Sequence, residues 1–168
     1  YRIALGPAHI KVRQIDIANI QGAGIRDDLA RRDFTINAMA APLDVGSRGV
    51  AMDHFLAPRG GLADLEKKLL RTESETVFKE DPLRLLRAFR IASQLSFKIE
   101  PKTLAMIGAL RQRVRRPAGE RIRSELMALL AVPGCSRWLR LMDEIEILTT
   151  LFDDLEPART CATVYYGP

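Results

Sequence analysis

The chain has 168 residues, 47% hydrophobic and 28% charged, the balance of an ordinary globular protein and enough for one domain or two small ones sharing an interface. Its formal net charge is +5 and its pI about 9.6; the excess lies in clustered arginines, which suits an anionic partner without establishing one. No apolar run approaches the roughly 18 residues of a membrane span, and Tyr1–Ile10 lacks the basic start and long apolar core of a signal peptide, so a cytoplasmic protein with no membrane partner is expected.

The first forty residues read as strands. Ile10, Val12, Ile15 and Ile17 alternate with polar residues, and a second apolar run covers Phe34–Leu43. Between them Gln21-Gly22-Ala23-Gly24 predicts a turn and Asp27–Ala30 one short helical turn. Two or three strands with no helix packed across them cannot stand alone, so the sheet is expected to be incomplete. From Gly60 the spacing becomes helical. Leu62, Leu65, Leu69 and Leu70 predict a first helix with Glu66, Lys67 and Lys68 outward. A second runs from Pro82 to about Leu95, with Leu85, Leu86, Phe89 and Ala92 on one face. A third covers Lys102 to about Val114, and a fourth runs from Gly119 to about Ala131, stopped by Pro133-Gly134. A fifth extends from Ser136 to about Phe152. The fold class is therefore α+β, a β-rich start and a helical remainder, with a boundary near residues 60–75. There is no internal repeat, and Ala158–Pro168 has no clear period.

Asp81, Pro82 and Arg84 form the first constellation. Aspartate before a proline at the first helical position is a good helix cap. Asp81 and Arg84, three residues apart, also share one side of the helix start. A carboxylate accepts from an exocyclic amine, while a guanidinium donates to the ring nitrogen or carbonyl beside it. Cytosine and adenine present that order on the Watson–Crick edge, and uracil and guanine the reverse. Such a pair could accept C and A and reject U and G, each mismatch leaving a buried group unpaired. The two readings are compatible. Arg84, Arg87 and Arg90 follow at steps of three, either a solvated face or a cationic ladder for a triphosphate. Arg111, Arg113, Arg115 and Arg116 repel one another without an anion nearby, which favours phosphate-backbone contact without base specificity.

Arg31-Arg32-Asp33 precedes a strand-like run containing Asn37 and could be a salt-bridged strand entry. Asp16, a lone carboxylate in the strand Gln14–Ala18, could face solvent; a two-metal phosphoryl-transfer site needs two or three carboxylates within a few ångströms. Cys135 and Cys161 lie far apart without metal-ligand spacing, and His9 and His54 do not complete a set, so both thiols are expected to be reduced and unligated.

In order, these segments resemble class II CCA-adding tRNA nucleotidyltransferases and bacterial poly(A) polymerases. Arg31-Arg32-Asp33-Phe34-Thr35-Ile36-Asn37-Ala38-Met39-Ala40 resembles the family's second motif. Gly60-Gly61-Leu62-Ala63-Asp64-Leu65 with Leu69-Leu70-Arg71 resembles the third. Glu80-Asp81-Pro82-Leu83-Arg84-Leu85-Leu86-Arg87-Ala88 resembles the base-selecting fourth, and Gly119-Glu120-Arg121-Ile122 with Glu125-Leu126 the fifth.

The resemblance implies the C-terminal part of a polymerase-β-like nucleotidyltransferase head, a mixed sheet remnant, over residues 1–71, followed by an all-helical neck that binds RNA over 72–168. It implies that Arg32 contacts the incoming triphosphate, with Asp33 and Asn37 near its ribose. Asp81 and Arg84 would read the base, Arg87 and Arg90 would hold phosphates, and Asp16 would sit where such heads can place a third carboxylate. The implied reaction is attack of an RNA 3′-hydroxyl on the α-phosphate of CTP or ATP, assisted by Mg²⁺, with the tRNA 3′ end as first candidate partner.

Two departures accompany it. The family's first motif, a Gly-Gly turn with Asp-x-Asp metal ligands, is expected upstream, so the segment by itself is expected to be inactive. Ala57 stands where the third motif usually has aspartate, in a loop thought to couple head to neck. Leu151-Phe152 to Cys161 resembles the lead-in to a further domain of metal-dependent phosphohydrolase type. Poly(A) polymerase activity and a non-catalytic RNA-binding module remain the alternatives.

Overall fold

The computed structural model describes residues 2–4, 14–42, 54–158 and 160, and of residues 2–4, 14–16 and 158 the backbone alone. His9, Ile10, Val12, Leu43, Cys161 and the side chain of Asp16 lie outside the described residues. Strands β1 (Arg2–Ala4) and β2 (Gln14–Asp16) pair antiparallel, with Arg2 opposite Asp16. Helix α1 (Ile25–Ala30) follows the turn at Gly22, whose φ of 91° is left-handed. Any Cβ at Gly22 would also lie 2.6 Å from the Asp27 Cβ.

Over its described part, residues 34–42, the run beginning at Phe34 is not the expected strand. Thr35–Asn37 is a short 3-10 turn, and Ala40 alone bridges to Leu56. Asp33 explains the turn: its carboxylate accepts the Phe34 amide at 2.9 Å and competes with a strand ladder. The Thr35 amide donates to the Arg71 carbonyl at 3.0 Å, and Phe34 is fully buried against Phe78, ring centroids 6.5 Å apart. Burial alone does not separate strand from irregular backbone.

The first expected helix is shorter than its leucine spacing suggests. Helix α2 (Gly61–Glu66) ends before Lys68, whose φ of 52° is left-handed, and Leu69–Leu70 form strand β3. Strand β3 pairs parallel with β4 (Lys98–Ile99), so a two-residue strand lies within the otherwise helical part. Between them are α3 (Thr76–Glu80), which the sequence pattern did not predict, and α4 (Arg84–Leu95). Pro82 and Leu83 form a turn ahead of α4 rather than its first residues, with the Arg84 amide donating to the Asp81 carbonyl at 3.0 Å.

The expected third helix is α5 (Pro101–Ala109) plus a 3-10 segment, Arg111–Arg115. Helix α6 (Gly119–Leu130) matches the expected fourth. The expected fifth is broken in two, α7 (Ser136–Glu144) and α8 (Ile147–Leu151), because Glu146 adopts a left-handed φ of 61°. Helix α9 (Leu155–Ala158) follows.

Helix α4 is the centre of the packing. Its buried face carries Leu85, Leu86, Ala88, Phe89, Ile91 and Ala92, and its most extensive partner is α6. One hydrophobic core runs from Phe34, Ile36 and Leu70 through α3 and α4 to Ile107, Leu129, Trp138 and Ile147. At about 1.5–3 kcal/mol for each large apolar side chain fully buried, this core holds residues on both sides of residue 71 in one body. Gly61 tightens the junction: a Cβ there would lie 2.2 Å from the Thr35 carbonyl oxygen. None of the described helices is long and apolar enough to cross a membrane.

Candidate nucleotide-binding cleft

The Arg31–Asn37 turn, the start of α4 and the first turn of α6 meet around a cleft of about 510 Å³. Arg31, Arg32, Arg84, Arg87 and Arg121 supply five guanidinium groups to its walls, and Asp33 and Asp81 two carboxylates, a surplus of three positive charges. Asn37 completes the lining. A concave site with that surplus, between walls that exclude part of the solvent, attracts a polyanion such as a triphosphate.

Asp33 organises the floor. It is buried, and Arg87 of α4 donates to its Oδ2 twice, through Nε at 3.0 Å and Nη2 at 2.8 Å. Asn37 Nδ2 and the Phe34 amide both donate to Oδ1 at 2.9 Å. Burial raises the Asp33 pKa, but the Asn37 bond, the Arg87 charge and fork, and the Phe34 amide outweigh it and hold the carboxyl below the usual carboxylate range. Arg32 sits on the rim, its Nη2 2.6 Å from Oδ2 of buried Asp28, one helical turn earlier. The Arg32 bond and the Gln21 amide likewise hold the Asp28 pKa down.

In the turn ahead of α4, Oδ1 of Asp81 accepts the Leu83 amide at 3.2 Å; this is a side-chain turn bond and not the expected helix cap, because α4 begins only at Arg84 and Leu83 occupies its cap position. Its Oδ2 accepts Nη2 of Arg121 at 2.9 Å. Arg84 donates to the Val77 carbonyl at 3.1 Å and to the Arg31 carbonyl at 3.4 Å, and Nη1 lies 3.7 Å from Glu80. Each Asp81 oxygen thus keeps a lone pair, and Arg84 is held from two sides with donor capacity left.

The other expected site residues are elsewhere. Arg90 does not line the cleft; Nε lies 2.5 Å from Glu125 and Nη1 donates to Gln94 at 2.7 Å. The anion demanded by the arginine cluster comes partly from the chain itself, since Arg111 lies 2.8 Å from Glu146 and Arg115 pairs with Asp153 and the Thr150 carbonyl. Half-buried Arg113 and exposed Arg116 form no ion pair among the described residues. A larger hollow of about 800 Å³ lies beside this segment, but Asp143, Glu144, Glu146, Asp153 and Glu156 line it, which repels a nucleotide. Only the backbone of Asp16 is described, in β2.

Among the described residues no group of three acidic, histidine or cysteine side chains could hold a metal ion. The two carboxylates of the cleft are each engaged by a guanidinium. The described residues therefore do not fit a Mg²⁺ site.

Two family models match the chain: "Poly A polymerase head domain" over residues 7–71 and "Probable RNA and SrmB- binding site of polymerase A" over residues 96–159. The chain belongs to the class II tRNA nucleotidyltransferase and poly(A) polymerase family. It is 42% identical over 149 residues to a CC-adding tRNA nucleotidyltransferase of Geobacter sulfurreducens, covering 88% of this chain and 33% of the relative. An A-adding tRNA nucleotidyltransferase of Deinococcus radiodurans is 38% identical over 136 residues, 78% of this chain and 30% of the relative. The structure of the Thermotoga maritima CCA-adding enzyme complexed with tRNA superposes with a TM-score of 0.72 at 30% identity, covering 93% of this chain and 35% of that one. The chain thus spans about a third of the length of the relatives it matches.

Within this family member, sequence reasoning singled out the segment holding Arg121 and Glu125 but gave neither residue a chemical role. It also passed over Asp28, although an acidic residue four before an arginine is a helical pairing signal. Asp64 stands in the third motif without a role read from the sequence; it accepts Thr35 Oγ1 at 2.6 Å and Arg71 Nε at 2.9 Å. Arg59, two residues after Ala57, donates to the Arg32 carbonyl at 2.8 Å and to Glu73 at 2.9 Å, tying the cleft's rim to the segment that leads into α3.

Proposed function

We propose that this chain is the nucleotide-selecting part of a template-independent nucleotidyltransferase that adds C, A or both to the 3′ end of tRNA. The observation that carries this reading is the meeting of Asp81, Arg84, Arg32 and the Asp33–Arg87 pair around one cationic cleft. Arg31, Arg32 and Arg87 offer charge to a triphosphate, and Asn37, held by Asp33, would face its ribose. Asp81 accepts the exocyclic amine of C or A, while Arg84 donates to the acceptor beside it; U and G would set donor against donor at Arg84. Residues 1–71 form the head portion and 72–168 the neck, with Arg113 and Arg116 available for RNA phosphates. The reaction joins the RNA 3′-oxygen to the α-phosphate and releases pyrophosphate, and these residues hold the nucleotide for it. The compartment is the cytoplasm.

The match to a poly(A) polymerase head favours a second reading, in which ATP alone is polymerised. Incubating the protein that carries this chain with tRNA lacking its 3′ end, and with CTP or ATP in turn, separates the two. Incorporation of C, A or both that stops within three residues supports tRNA end addition. Long tails from ATP alone support poly(A) polymerase, and extension with neither nucleotide refutes both.

A further inference from the structure

The fifth sequence motif places Arg121 and Glu125 one turn apart on α6, Arg121 reaching the turn ahead of α4 and Glu125 the arginines along it. Nη2 of Arg121 lies 2.9 Å from Asp81 Oδ2. Glu125, largely buried, lies 2.5 Å from Arg90 Nε and 3.9 Å from Arg87 Nη1. Among the described residues, Arg121 is the cleft's one contribution from the 96–159 region, and the other lining side chains come from residues 31–87.

This arrangement has a consequence for base choice. An aspartate turns freely about its last bond when one oxygen alone is held, and a turned carboxylate can accept from a different base edge. Here Oδ1 is held by the Leu83 amide and Oδ2 by Arg121, so the plane and the remaining lone pairs are fixed. We propose that Arg121 is a positioning residue for base selection: it locks the Asp81 carboxylate in the orientation that accepts an exocyclic amine, so discrimination between bases depends on α6 being docked. The inference rests on the reading of Asp81 as base acceptor. It also distinguishes two effects of Arg121. Its charge strengthens binding of every nucleoside triphosphate equally, whereas its fixed fork geometry acts on the ratio between bases.

Titration of CTP and UTP into the protein that carries this chain and into its Arg121→Gln, Arg121→Lys, Asp81→Ala and Arg140→Gln variants tests this, with thermal melting as the check on folding. Wild type binds CTP more tightly than UTP. Arg121→Gln weakens both and lowers the CTP/UTP preference about threefold, the coupling of a half-exposed ion pair. Arg121→Lys recovers the affinity common to both nucleotides but not the preference. Combining Arg121→Gln with Asp81→Ala lowers the preference no further than Asp81→Ala alone, and exposed Arg140→Gln on α7 changes nothing. An Arg121→Gln protein that melts normally and keeps the wild-type preference overturns the inference while leaving the Asp81 reading intact; should Gln prevent folding, the Lys variant decides on the same ratio. If Asp81→Ala keeps the preference, or wild type has none, base reading by Asp81 fails and this inference with it.

Discussion

Arg87 reaches 54 residues back along the chain to grip buried Asp33 with two hydrogen bonds to a single carboxylate oxygen, at 3.0 and 2.8 Å. The pair joins α4 to the turn that carries Arg31 and Arg32. Removing the carboxylate leaves Arg87 with Glu125 at 3.9 Å and no closer anion among the described residues. Asp33→Ala is therefore expected to cost about 2 kcal/mol. That is below the usual cost of breaking a fully buried pair, because Arg87 is about one-third exposed. The urea midpoint checks this; an unchanged midpoint would show that the pair is not structural.

Acid stability follows from the same carboxyl. The folded state holds the pKa of Asp33 below its unfolded value, so Asp33 contributes stability that is fully present above the unfolded pKa, about 4. That contribution is lost as pH falls through the lower, folded pKa. Asp28 acts in the same direction. Stability measured from pH 5 downward should fall, and Asp33→Asn should show a shallower fall over that window, starting from a lower plateau. Identical slopes for wild type and variant would contradict the assignment.

Two glycines make opposite predictions. At Gly61 an added Cβ meets the Thr35 carbonyl oxygen at 2.2 Å and Met39 at 2.9 Å, so Gly61→Ala must push α2 off the turn. A loss of about 3 kcal/mol or more is expected. At Gly119, the first residue of α6, a Cβ meets nothing within 4 Å. Gly119→Ala should leave the melting temperature unchanged or raise it, by up to about 1 kcal/mol of added helix preference.

Exposed Ser96 closes α4 with a left-handed φ of 56°. Glycine takes that conformation without steric cost, so Ser96→Gly should stabilise the protein by roughly 0.5–1 kcal/mol. A lower melting temperature would mean that the Ser96 side chain contributes something besides its backbone conformation.

The motifs were readable because each is local. The Asp81-Pro82 helix entrance, the amphipathic α4 and the run from Arg31 to Asn37 carry their chemistry within a few residues. What the sequence withheld is what the fold brings together across the chain. Asp33–Arg87 and Asp81–Arg121 span 54 and 40 residues, and no periodicity encodes such pairs. The arginine cluster 111–116 looked like a surface awaiting phosphate because Glu146 and Asp153, its partners in the fold, lie more than thirty residues on. Leu69 and Leu70 continued a helical spacing but pair as a strand, since Lys98 and Ile99 offer a ladder that spacing cannot reveal. The start of the Phe34–Leu43 run misled for the converse reason: Phe34, Ile36 and Ala38 are apolar because they are buried, and Asp33 bends the backbone there.

The most direct measurement compares Asp81→Ala with wild type in two properties of one preparation: unfolding free energy, and the affinities for CTP, ATP, UTP and GTP. The account predicts a loss of about 1 kcal/mol of stability from the missing bonds to the Leu83 amide and to Arg121. It also predicts that a wild-type preference for CTP and ATP over UTP and GTP disappears in the variant. The same loss of stability with the preference unchanged would show that Asp81 only braces the turn ahead of α4, and would contradict the account.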